Sequence, residues 1–138
     1  MAALSIFMRF LHIVSAVTLV GGALAWRFAA IPASETLNSE TRTKVGDAVA
    51  AAWRPFVLFG ICGLLLSGTY NFLHKTGLTP AYHAIFGIKF LLALHVFAAT
   101  FIATRPGNAR RARQLTGVAV TGVLIVVLSA VLRWLTIR

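Results

Sequence analysis

The sequence predicts an all-α fold: a single-domain integral membrane protein built as an antiparallel four-helix bundle. Three observations predict it. Hydrophobic residues make up 59% of the 138 in the chain and mean hydropathy is +0.85, too apolar for an ordinary soluble domain. These residues gather into four stretches, about 4–31, 55–73, 84–104 and 114–135. Each is near or above the roughly 20 residues that cross a bilayer at about 1.5 Å per residue. The links between them are short, which sets consecutive spans antiparallel. No soluble domain, low-complexity segment or internal repeat is visible.

The first span covers about 4–31, and Pro32 is expected to help stop it. It is too long for a signal-peptide core and has no small-residue cleavage site behind it, so it reads as a retained helix. The link 32–46 is polar (PASETLNSETRTKVG), and Ser34 or Asn38 suits the cap of a short interfacial helix leading to Trp53. The second span, about 55–73, has Pro55 at a favourable first helical position. Gly60, Gly63, Ser67, Tyr70 and His74 recur every three or four residues and share one of its faces. A turn-like link, KTGLTP, leads to a third helix that starts near Ala81 and ends before Pro106 and Gly107. A basic link follows, and the fourth helix covers about 114–135. Trp26, Trp53 and Trp134 stand near span ends, as interface anchors do.

The net charge of +10 lies at the span ends, where lipid headgroups explain it better than nucleic acid. The links after the first and third spans carry Arg42, Lys44, Arg105, Arg110, Arg111 and Arg113. The opposite side carries Arg9, Lys75, Arg133 and Arg138. The heavier side is expected to be cytoplasmic, with both termini outward, in the cell inner (plasma) membrane. The lone Cys62 excludes an intrachain disulfide and a zinc site of several cysteines.

The third span, AIFGIKFLLALHVFAATFIAT, carries Lys89 and His95. Either is costly in hydrocarbon unless paired, ligated or facing water. Six residues of helix separate them by about 600°, a net ~240°, so they point to different faces. His12 should lie at a depth similar to that of Lys89, on the side where the first and third spans begin. That side also collects Tyr70, Asn71, His74, His83 and Arg133.

Haem b is the cofactor this set suggests. Histidine is a common axial ligand, and a bundle core is a usual cofactor site. His12 is the first choice of ligand, with His95 as a second metal-binding candidate. The glycine and serine face of the second span would admit a flat macrocycle, although small residues there also serve plain helix packing. Arg9, Lys75, Arg133 and Tyr70 would hold propionates. The plain alternatives are that Lys89 snorkels to the interface and that His95 only ties two helices. A di-iron carboxylate site is excluded, because no span interior carries an acid. Two histidines alone make a poor copper or zinc site, and Met1, Met8 and Cys62 form no cluster by spacing.

The stretch FLHIVSAVTLVGGALAWRFAAIP resembles the opening helix of the CopD-like membrane domain, where a Leu-His dipeptide precedes Gly-Gly. The same superfamily holds the HemJ-type protoporphyrinogen oxidases, small four-span proteins with a histidine in the first helix and a lysine early in the third. His12, and Lys89 in FGIKFLLALH, match those positions. The resemblance implies a b-type haem at His12, with Lys89 as ligand or close partner. Four functions follow as expectations. The first is a haem-b electron carrier, alone or as a subunit of a membrane complex. The others are a HemJ-type protoporphyrinogen IX oxidase, a CopD-like copper-handling protein, and a structural subunit. The expected partners are the bilayer, a quinone or porphyrin, and a second copy or a larger complex. Where HemJ-type proteins carry a Pro-Arg-Leu-Phe-Val-Tyr-His-like stretch, this chain has Trp26, Arg27, Phe28, Ala29 and Ala30.

Overall fold

The computed structural model describes residues 2–137, and the side chains of residues 2–135. Met1 and Arg138, used in the sequence reading, lie outside the described residues. Four helices and no strand occur among the described residues: α1 Ala2–Thr36, α2 Ser39–Leu73, α3 Pro80–Ala103 and α4 Arg111–Ile137. All four are long and apolar enough to cross a membrane.

Local chemistry sets their starts. Asn38 accepts from the Thr41 amide at 2.8 Å and opens α2. Thr79 accepts from the Tyr82 amide at 3.2 Å and opens α3, with Pro80 in the first helical position. Such caps contribute about 1 kcal/mol each.

Two boundaries differ from expectation. Pro32 does not stop α1, which continues through a 3-10 turn at Ser34–Thr36. A wide π turn at Trp26–Ala30 lies just before Pro32 and loosens the ladder where the proline ring would press on the Phe28 carbonyl. A second wide turn occupies Val17–Gly21. Nor does Pro55 begin a helix: α2 is one 35-residue helix with Pro55 inside it. The interfacial helix and the second span are therefore continuous. At about 1.5 Å per residue α2 is about 52 Å long, against about 30 Å of hydrocarbon. Its polar first turns, residues 39–47, stand outside the membrane.

The register of contacts gives the topology. Along α1 and α2, Ser5 faces Tyr70, His12 faces Ser67, Leu19 faces Gly60 and Gly22 faces Trp53. Numbers rise on one helix as they fall on the other, so the pair is antiparallel. Val20 meets Gly122 and Arg27 meets Thr116, so α4 runs antiparallel on another side of α1. α3 packs closely on α4, while α2 and α3 touch little. The circuit is α2–α1–α4–α3, loosest where it closes.

Glycines allow the tight contacts. A Cβ on Gly60 would sit 2.7 Å from Leu19, and one on Gly122 2.6 Å from Val20. Gly63 is pressed by Ser15 in the same way. The glycine face of α2 is thus filled by α1 and is a packing surface rather than a slot for a macrocycle. Trp26 and Trp53 are corrected too. Trp26 is only 5% exposed and meets Trp53 edge to face at 5.6 Å, while Trp53 lies on Gly22. Both pack inside the bundle, and only Trp134 projects outward. Around this core, with Ala23, Ala99, Leu115 and Val118, the exterior is apolar: Phe10, Ile13, Phe59, Leu66, Leu91 and Val126 are all exposed.

Candidate functional site

A cavity of about 320 Å³ lies where the circuit is loosest. α1 contributes His12, Ala16 and Val20; α2 contributes Leu64, Leu65, Gly68, Thr69 and Phe72. α3 contributes Phe86, Lys89, Phe90, Ala93, Val96 and Phe97, and α4 contributes Ile125. Leu65 and Phe90 line it and are also exposed on the lipid-facing side. The walls are apolar, and the ionisable side chains among them are His12 and Lys89.

Two hydrogen bonds fix the state of His12. Ser67 is fully buried and donates its one hydroxyl proton to the Gly63 carbonyl. His12 Nδ1 lies 3.0 Å from the Ser67 oxygen. That oxygen has no proton left to give, so it accepts from Nδ1–H. Neutral His12 is then the Nδ1–H tautomer, and Nε2 keeps its lone pair on a ring that lines the cavity. Gly68 lies under the ring, its Cβ position 3.7 Å from Cε1.

Lys89 shares the cavity. Counted from the helix starts, His12 and Lys89 are about 15 and 13 Å in from the same end of the bundle. Among the described residues, no hydrogen bond or ion pair engages the Lys89 ammonium. The chain has three acids, Glu35, Glu40 and Asp47, all in residues 35–47, at the opposite end.

The other sequence candidates lie elsewhere. His95 is on the exposed side of α3, with Nε2 3.5 Å from the Cβ position of Gly117. Tyr70 reaches Ser5 at 3.3 Å and stacks on His74 at 4.1 Å. His74 Nδ1–H donates to the Tyr70 carbonyl at 2.9 Å. Lys75 donates to the Tyr82 hydroxyl at 2.9 Å. Arg9 and Arg133 are exposed, and none of these residues lines the cavity.

At the opposite end the structure assembles a cluster that the sequence reading passed over. Arg111 donates to Asp47 at 2.8 Å, to the Ala103 carbonyl and to the Arg105 carbonyl. Its guanidinium also lies 5.2 Å from the Trp26 ring centre. Gly107, at φ +65, turns its amide onto both Asp47 oxygens at 3.0 and 3.1 Å. Only the Pro106-Gly107 turn signal hinted at this. The Arg111 hydrogen bond, with the Gly107 amide second, holds the Asp47 carboxyl below the usual carboxylate range.

Fold, apolar exterior and span lengths define a four-span integral membrane protein. More particularly, the family described as "predicted integral membrane protein (DUF2269)" matches residues 6–82, over half of the chain, and the protein belongs to it. The match includes His12, Ser67 and Gly68 and ends before Lys89. The description gives the membrane character and names no cofactor or activity. No curated protein and no solved structure matches the chain.

Proposed function

We propose that the protein binds haem b in the cavity between α2 and α3, with His12 as axial ligand, and serves electron transfer in the membrane. The observation that carries this is the Gly63–Ser67–His12 chain of hydrogen bonds. It leaves one imidazole nitrogen unprotonated inside an apolar cavity, and an oriented second nitrogen is how proteins prepare a histidine ligand.

The residues fit the group. Phe90, Phe97 and the stacked pair Phe72 and Phe86 give the cavity an aromatic lining suited to an apolar macrocycle. The volume of about 320 Å³ stands at the low end of ligand pockets, about 300–1,000 Å³, and the exposed Leu65 and Phe90 leave its lipid side open. Haem would supply one-electron exchange; Ser67 fixes the ring and Lys89 supplies a charge beside it. The absorption spectrum of the purified protein is the test. A Soret band is expected, lost in His12→Ala; no band, or an unchanged one in the variant, refutes the proposal.

A second reading, HemJ-type oxidation of protoporphyrinogen IX, draws on the same observation that His12 and Lys89 line one cavity. Rescue of a strain lacking protoporphyrinogen oxidase favours it, and rescue that survives His12→Ala counts against it. Copper handling finds less support: among the described residues no three His, Cys, Asp or Glu side chains gather. We place the two basic links in the cytoplasm of cells whose plasma membrane holds the protein, on the strength of their arginines. A reporter active only outside the cytoplasm should then work when fused after α4.

A further inference from the structure

We propose that this cavity takes its ligands as acids: a single carboxylate or phosphate, carried on an apolar body and paired with Lys89. The inference rests on reading the cavity as a ligand site, but not on the ligand being haem.

The argument is one of charge. Lys89 lines a pocket walled by Phe72, Phe86, Phe90, Ala93 and Phe97. A cation in such surroundings is costly unless it is matched. Among the described residues no acidic side chain lines the cavity. Glu40 is paired with Lys44 and Asp47 with Arg111. Glu35 lies in the last turn of α1, at the same far end of the bundle. The groups nearest Lys89 add no negative charge: Lys75 is a second cation, held by Tyr82, and Thr69 offers a neutral hydroxyl. His12 brings a lone pair on Nε2, because its Nδ1–H donates to Ser67.

The cavity wall carries one Lys or Arg, Lys89, so one anionic group per ligand balances the site. The rest of the wall is apolar and demands an apolar body. The lipid-facing opening at Leu65 and Phe90 suits a molecule that arrives through the bilayer. Two sources share this chemistry: an amphipathic acid, haem with its propionates included, and the headgroup of an anionic lipid.

The test uses the full-length protein in a nonionic, phosphate-free detergent, with cis-parinaric acid and its methyl ester as fluorescent probes. The wild type should bind the acid about tenfold or more tightly than the ester, the scale of one desolvated charge-assisted bond. Lys89→Gln should erase that preference while leaving ester binding intact, which also reports that the cavity is folded. Lys89→Arg should keep most of the preference. No binding of the acid, equal binding of acid and ester, or a preference that survives in Lys89→Gln overturns the proposal. Displacement of the acid by phosphatidylglycerol but not by diacylglycerol assigns the anion to a lipid headgroup, and no displacement assigns it to a free acid. A missing Soret band with the acid preference intact removes haem and leaves this inference standing. A Soret band with no acid preference does the reverse.

Discussion

His12 takes its chemistry from a hydroxyl on another helix. Ser67 spends its proton on Gly63 and so dictates which imidazole nitrogen is bare. Ser67→Ala removes that constraint with almost no change of volume. Under the proposed haem site, affinity for haem, measured by titration of the Soret band, should fall about 10- to 100-fold, the usual cost of losing a partner behind a metal ligand. His12 and Lys89 were legible in the sequence, because an ionisable residue stands out in an apolar run and residue count fixes its depth. The separation of His95 from Lys89 was equally legible, since both sit on one helix of known pitch. Depth alone misled elsewhere. Arg9, Tyr70 and Arg133 share the level of the site but not its direction, and direction depends on which neighbour each face meets. Gly68 went unnoticed because it stands off the 60–63–67–70–74 series on α2.

At the scale of the element, glycines decide how close α1 and α2 come. Gly60→Val would drive a branched side chain into Leu19, already 2.7 Å from the Cβ position. Overpacking of this kind costs about 1–3 kcal/mol, which should appear as a lower unfolding temperature in detergent. Periodicity showed these glycines on one face, and it could not show whether a helix or a ligand filled that face. The start of α2 has its own signature. Asp47 has a folded-state pKa below its unfolded value, so its contribution is complete above the unfolded value of about 3.9. That contribution is lost as pH falls through the folded value. Thermal stability should therefore be level from pH 7 to about 5 and drop below about pH 4, and Asp47→Asn should lower the plateau and flatten the drop. Gly107→Ala should weaken the same cluster by about 1–2 kcal/mol, because φ +65 strains any residue with a Cβ. None of this was visible along the chain: residues 47 and 111 are brought together only when the helices have paired.

At the scale of the whole molecule, the bundle is two hairpins, α1 with α2 and α3 with α4. They join along α1 and α4 and gape at the cavity. The class of fold followed from composition and span length alone, while the order of helices around the bundle required the contacts. Asp47 and Trp26, both on the first hairpin, meet the same residue of the second, Arg111. Arg111 is thus a clasp between the two halves of the chain. Cutting the chain in the 74–79 link should then be tolerated: pieces 1–76 and 77–138, made together, are expected to copurify. Arg111→Ala should reduce that recovery and leave unjoined first hairpins for the cell's membrane proteases to remove.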